Sequence, residues 1–133
     1  MDTTKHIASR RIWGRCYRQH VNPDGTIGGW VAQTARVAST AYVGPDALVF
    51  DHAEVHGYAS VSGHARVGCY ALVREFAIID DFARIGGSAV VGGYALITDH
   101  ARIRGTALVR GSAKITGRTV MTAGAMLEGI LLS

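Results

Sequence analysis

The sequence predicts an all-β fold, a parallel β-helix, on three observations: a strict six-residue repeat, two inward positions in every repeat, and a corner residue suited to left-handed backbone. Alanine recurs at 35, 41, 47, 53, 59, 65, 71, 77, 83, 89, 95, 101, 107 and 113 without a slip. Two residues after each comes a β-branched aliphatic: Val37, Val43, Val49, Val55, Val61, Val67, Val73, Ile79, Ile85, Val91, Ile97, Ile103, Val109 and Ile115. The register extends upstream through Gly29 and Val31, and downstream through Thr119 and Met121, then Ala125 and Leu127.

A period of six fits neither a 3.6-residue helix nor hairpin strands of ordinary spacing. It fits short strands joined by corners. Alanine and aliphatic face inward, the residue between them faces out, and glycine or aspartate stands two after the aliphatic at Gly57, Gly63, Asp81, Gly87, Gly93, Asp99, Gly105, Gly111 and Gly117. These residues tolerate the left-handed conformations of tight corners. Stacked turns bury a continuous apolar column and pair each strand with the next at about 4.8 Å.

The repeats resemble those of the hexapeptide-repeat left-handed parallel β-helix proteins, in which an aliphatic is followed four residues later by a small residue. Val37-Ala38-Ser39-Thr40-Ala41 and Val61-Ser62-Gly63-His64-Ala65 show the motif. Gly28-Gly29-Trp30-Val31, leading into Ala-x-Val-x-Gly-x units, looks most like the YdcK-like proteins frequent in phages and prophages. The resemblance spans residues 29–128 of the 133. It implies a left-handed β-helix with three hexads per coil, about five to six triangular coils, and a homo-oligomer, with a trimer favoured over a dimer.

The ends read as caps. Residues 1–28 form an N-terminal segment with a strand expected over Ile12–Val21, a turn at Asn22-Pro23-Asp24-Gly25 and a return over Thr26–Val31 into the first coil. Residues 129–133, with Ile130, Leu131 and Leu132, form an apolar tail suited to plugging the last coil.

Composition excludes several classes. With 48% hydrophobic and 18% charged residues the chain is globular rather than disordered, and no apolar run is long enough to span a bilayer. Cys16 and Cys69 form neither a disulfide framework nor a zinc motif, and Met1-Asp2-Thr3-Thr4-Lys5 lacks the apolar core of a signal peptide, so a cytoplasmic location is expected. The net charge of +4 comes mostly from arginine, whose planar fork suits carboxylates and phosphates.

Outward positions taken every eighteen residues form columns. Leu72, Val90, Leu108 and Met126 make an apolar stack, which is expected to be an oligomer interface. Arg66, Arg84 and Arg102 make a cationic one, with Arg104 beside the last and Trp30 and Leu48 above. Like charges on neighbouring strands destabilise a sheet unless compensated. Either Asp81 and Asp99, three residues before Arg84 and Arg102, pair with them, or the column binds an anion. Tyr58, Phe76 and Tyr94 line one corner, a structural ladder or a stacking platform for a flat ligand, and His64, Phe82 and His100 line another.

Catalysis is weighed against the fold. The hexapeptide acyltransferases that the repeats resemble use a general-base histidine at a subunit cleft, leaving His52, His64 or His100 as candidates here, yet no loop interrupts the hexads from 35 to 115. A metal site built on His52 and His56 is disfavoured, because the two fall on a corner and the following strand, and neither metal nor cofactor is expected. Lys5, Arg10, Arg11, Arg15 and Arg18 beside Trp13 and Tyr17 mix cations with aromatics as single-strand binders do, a less favoured nucleic-acid reading, with Arg11, Trp13, Arg15 and Tyr17 expected on one face. The favoured expectation is a non-catalytic oligomer that binds an anionic, nucleotide-like small molecule or a partner protein. By resemblance, it would act as a phage counter-defence protein that sequesters or inhibits. An acyltransferase or a purely structural assembly module are the alternatives.

Overall fold

The computed structural model describes residues 9–12, 15–122, 124, 126–128 and 131–132, with side chains described for 16–122, 124 and 127. From Arg36 onward the chain is a run of strands two or three residues long, too short to stand alone. Each therefore pairs with its equivalents in the coils above and below, forming three parallel sheets.

The first sheet runs β1 (Ser9–Ile12), β2 (Arg15–Val21) and β3 (Ile27–Ala32), then Leu48–Val49, Arg66–Val67, Arg84–Ile85, Arg102–Ile103 and Val120–Met121. The second holds Arg36–Val37, Glu54–Val55, Leu72–Val73, Val90–Val91, Leu108–Arg110 and Met126–Glu128. The third holds Tyr42–Val43, Ser60–Val61, Ile78–Ile79, Leu96–Ile97, Lys114–Ile115 and Leu131–Leu132. Each full coil contributes one strand to each sheet, so the molecule is a three-sided parallel β-solenoid, the arrangement expected of a β-helix built from three hexads per coil.

Register follows the repeat. Arg66 pairs with Arg84 and Arg84 with Arg102, a step of eighteen residues. Each outward residue donates its N–H to a carbonyl of the next coil, as Arg66 does to Ala83 at 3.0 Å and Arg84 to Ala101 at 3.0 Å. The inward pairs form the core: the alanines from 41 to 113 and the aliphatics from 43 to 115 are at most 1% exposed. Alternating small and branched side chains suit a narrow prism, where a larger residue at the alanine position would overpack.

All nine expected corner positions have positive φ, between 58° and 69°. Asp51, which carries the same signal two residues after Val49, joins them at 56°, and Cys69 and Glu75 at 56° and 60° go beyond what glycine and aspartate signalled. The acidic corners have a local function. Each reaches one coil onward: Glu75 Oε1 accepts the Gly93 N–H at 2.6 Å, Asp81 Oδ2 that of Asp99 at 3.2 Å, and Asp99 Oδ2 that of Gly117 at 2.9 Å. The side chain thus satisfies a corner N–H that the parallel ladder leaves out.

The N-terminal segment differs in detail from the expected single strand. β1 and β2 are antiparallel neighbours, with Arg10 opposite Tyr17, and β2 pairs antiparallel with β3. Tyr17 lies opposite Ala32 and is 2% exposed, so it is not part of an open cation-aromatic face. Trp13 and the side chains of Lys5, Arg10, Arg11 and Arg15 lie outside the described residues. The expected turn is present, with Gly25 N–H donating to Asn22 O at 2.8 Å and φ +87° at Gly25. Asn22, 3% exposed, also closes the top of the third sheet: its Oδ1 accepts the Val43 N–H at 2.8 Å. Leaving that buried donor unpaired would cost about 1–3 kcal/mol.

At the other end, Leu131–Leu132 continues the third sheet as a strand beside Lys114–Ile115, and the side chains of the tail lie outside the described residues. Lys114 pairs with Leu131, one residue short of the eighteen-residue step. No helix among the described residues is long and apolar enough to cross a membrane.

Candidate anion-binding cleft

The first sheet carries Trp30, Leu48, Arg66, Arg84, Arg102 and Val120 in one outward column, paired strand by strand. All three arginines are exposed, as is Arg104. Together with Phe50, Gly68, Cys69 and Gly86 they line a cleft of about 240 Å³.

The cleft exists because of what stands just after each strand of this sheet. Phe50, Gly68, Gly86 and Arg104 occupy the same corner position in successive coils. The Phe50 ring lies over Gly68: a Cβ placed on that glycine would sit 2.3 Å from the ring's Cζ. Gly86 has nothing over it, its nearest neighbour being Cys69 Sγ at 3.8 Å from a placed Cβ. A notch one coil tall is left at Gly86, with the Phe50 ring above, Arg104 below, the arginine column on one side and Cys69 on the other.

The charges in this cleft lack local counterions. Among the described residues the ion pairs are His56 Nε2 with Glu54 Oε1 at 2.6 Å and Arg74 Nε with Glu75 Oε1 at 4.0 Å. No described carboxylate comes that near to Arg66, Arg84, Arg102 or Arg104. Asp81 and Asp99 each bond a backbone N–H one coil on. Asp80 Oδ1 accepts from Ser62 Oγ at 3.0 Å and from the Asp81 N–H at 2.7 Å. The pairing that chain proximity suggested for Arg84 and Arg102 is therefore not made.

Aromatic ladders line the corners. His64 stacks on Phe82 and Phe82 on His100, with ring centroids 5.1 Å apart in both pairs, on the edge just before the arginine strands. Tyr58, Phe76 and Tyr94 stack at 5.5 and 5.0 Å on the edge between the second and third sheets, opposite the arginine face. Within one chain they cannot reach a ligand held by the arginines. A third ladder, His52 on Tyr70 at 5.1 Å, escaped the sequence reading although its eighteen-residue spacing announces it.

Leu72, Val90 and Leu108 do stack on the second sheet, with Met126 next in register. The first three are half-buried, and the Met126 side chain lies outside the described residues. Larger apolar groups are exposed elsewhere: Tyr58 at 65%, Phe76 at 46%, Tyr94 at 68% and, beside them on the third sheet, Ile78 at 43%, with Tyr70 at 67%, Phe82 at 51% and Val120 at 51% on other edges and faces. Among the described residues no three His, Cys, Asp or Glu side chains converge as metal ligands would.

A second cleft, about 520 Å³, opens at the N-terminal rim between β2 and the first coil. Val31, Ala35 and Val37 are among its lining, so it is the mouth of the core, where Arg36–Val37 is the end strand of the second sheet among the described residues.

Comparison with protein-family models, characterised proteins and solved structures finds no match. Fold and site therefore define the class on their own: a rigid three-sided β-solenoid with a cationic cleft along one face.

Proposed function

We propose that this chain is a non-catalytic binding protein of the hexapeptide-repeat, left-handed type, and that the cleft of the first sheet holds a small anion. One observation carries the reading: four arginines line a single cleft and the nearby aspartates are engaged with the backbone. Stacked like charges are unfavourable on a sheet. A multiply charged anion relieves that repulsion, and guanidinium forks bond its oxygens in pairs. The two-residue strands and the unbroken period of six support the hexapeptide assignment; the ladder histidines His52, His64 and His100 lie stacked on aromatic rings, and His56, oriented by Glu54, does not line the arginine cleft.

Inorganic triphosphate titrated into the protein by calorimetry at low salt is expected to bind, and Arg84→Glu, exposed in the middle of the column, to abolish binding without lowering the melting temperature, since it replaces like-charge neighbours by opposite ones. Equal affinity in that variant would overturn the assignment.

The half-buried column of Leu72, Val90 and Leu108 supports self-association through the second sheet, since even partly covered aliphatics in a row exceed what scattered surface residues present. Native mass spectrometry is expected to show an oligomer that Val90→Asp reduces to monomer. A monomeric parent protein would remove this part of the reading.

A further inference from the structure

We propose, building on the anion reading above, that the cleft takes an aromatic polyphosphate, a nucleoside polyphosphate in chemical class, laid lengthwise along the coil axis with its flat end against Phe50. The face is polarised from end to end. Trp30, Leu48 and Phe50 supply apolar and aromatic surface at one end. Arg66, Arg84, Arg102 and Arg104 supply charge toward the other.

Two magnitudes argue for a ligand longer than a single oxyanion, part of which lies outside the cleft. The arginine Cα atoms step by about 4.8 Å per coil, so three of them span about 10 Å, a reach that a single phosphate leaves mostly unused and a chain of phosphates occupies. The cleft's 240 Å³ equals roughly eight waters at about 30 Å³ each, more than a lone oxyanion fills. The notch at Gly86 marks where the ligand enters. Its backbone is not in the left-handed region, and a placed Cβ meets only Cys69 Sγ at 3.8 Å, so the missing side chain is not required by the fold and leaves space instead. The Phe50 ring, whose tip packs against Gly68 and which is half-buried at the lip of the cleft, is the aromatic surface against which a heterocycle would stack.

The test compares ATP with inorganic triphosphate in calorimetric titrations of the full chain and two variants. In the parent protein ATP is expected to bind at least about fivefold more tightly than triphosphate, the lower end of what a base stacked on an aromatic side chain contributes. Phe50→Leu is expected to bring the ratio of ATP to triphosphate affinity down to about one, read within that variant. Gly86→Leu, whose Cβ has room and whose backbone is not in the left-handed region, is expected to weaken both ligands by filling the notch, and Gly86→Ala, which adds only that Cβ, to retain the melting temperature. Equal binding of ATP and triphosphate, or a Phe50→Leu variant that keeps the ATP advantage, would overturn this inference and leave the anion reading standing. If neither ligand binds the parent protein, both fall together.

Discussion

Ile97→Ala is expected to cost about 2–5 kcal/mol, read as a shift in the urea midpoint with little change in slope. Ile97 is fully buried and stands in the third sheet between Ile79 above and Ile115 below. Truncation removes its own burial and leaves a void that its neighbours cannot fill, because they are fixed by ladders on two sides. Two features make the loss large in this fold. The alanine positions around it are at most 1% exposed and have no spare reach. A solenoid's stability is also carried by contacts between neighbouring coils, so a void in one coil weakens both adjacent interfaces. Ile97→Val, which keeps the shape of the other coils' valines, is expected to cost only about 0.5–1.5 kcal/mol. A truncation cost below that of the valine change would mean that the column is not packed as described.

Gly93→Val is the second large effect. Gly93 has φ +64°, and a Cβ there would sit 2.7 Å from Gly111 N and 2.8 Å from its oxygen. Left-handed backbone costs a Cβ-bearing residue about 1–2 kcal/mol, and a β-branched residue fares worst. The chain itself supplies the control. Glu75, one coil above in the same corner, adopts φ +60° and recovers part of that cost by accepting the Gly93 N–H. Gly93→Asp carries the same Cβ but places an acceptor over the Gly111 N–H in the same way, and is expected to lose less than valine does. If aspartate and valine destabilise equally in thermal melts, the acid-to-backbone reach has no energetic value.

The architecture was legible because its signal is redundant: every inward position repeats the same pair, and one substitution does not hide the period. The columns followed, since a fixed step of eighteen places Arg66, Arg84 and Arg102 on successive strands. The cleft was half legible. The arginines stood out as charges, but Phe50, Gly68 and Gly86 did not, because a corner glycine reads as conformational need whereas Gly86 matters as empty space. Asp81 and Asp99 misled for a different reason. They lie three residues from Arg84 and Arg102 along the chain, yet a backbone N–H one coil on is nearer and fixed, and it competes successfully for the carboxylate. Glu75 and Cys69 in left-handed backbone, and Tyr17 buried opposite Ala32, reflect pairing across coils that no local pattern encodes.

The eighteen-residue step makes the cationic face a ruler graduated in whole coils. Point substitution alters the strength of a mark but not the distance between marks. On the anion reading proposed above, the length of anion that the face accommodates would change only when an entire coil is duplicated or excised, in increments of about 4.8 Å. Relatives differing by one coil would therefore select ligands differing by a discrete length, a quantised specificity inherited from the repeat itself.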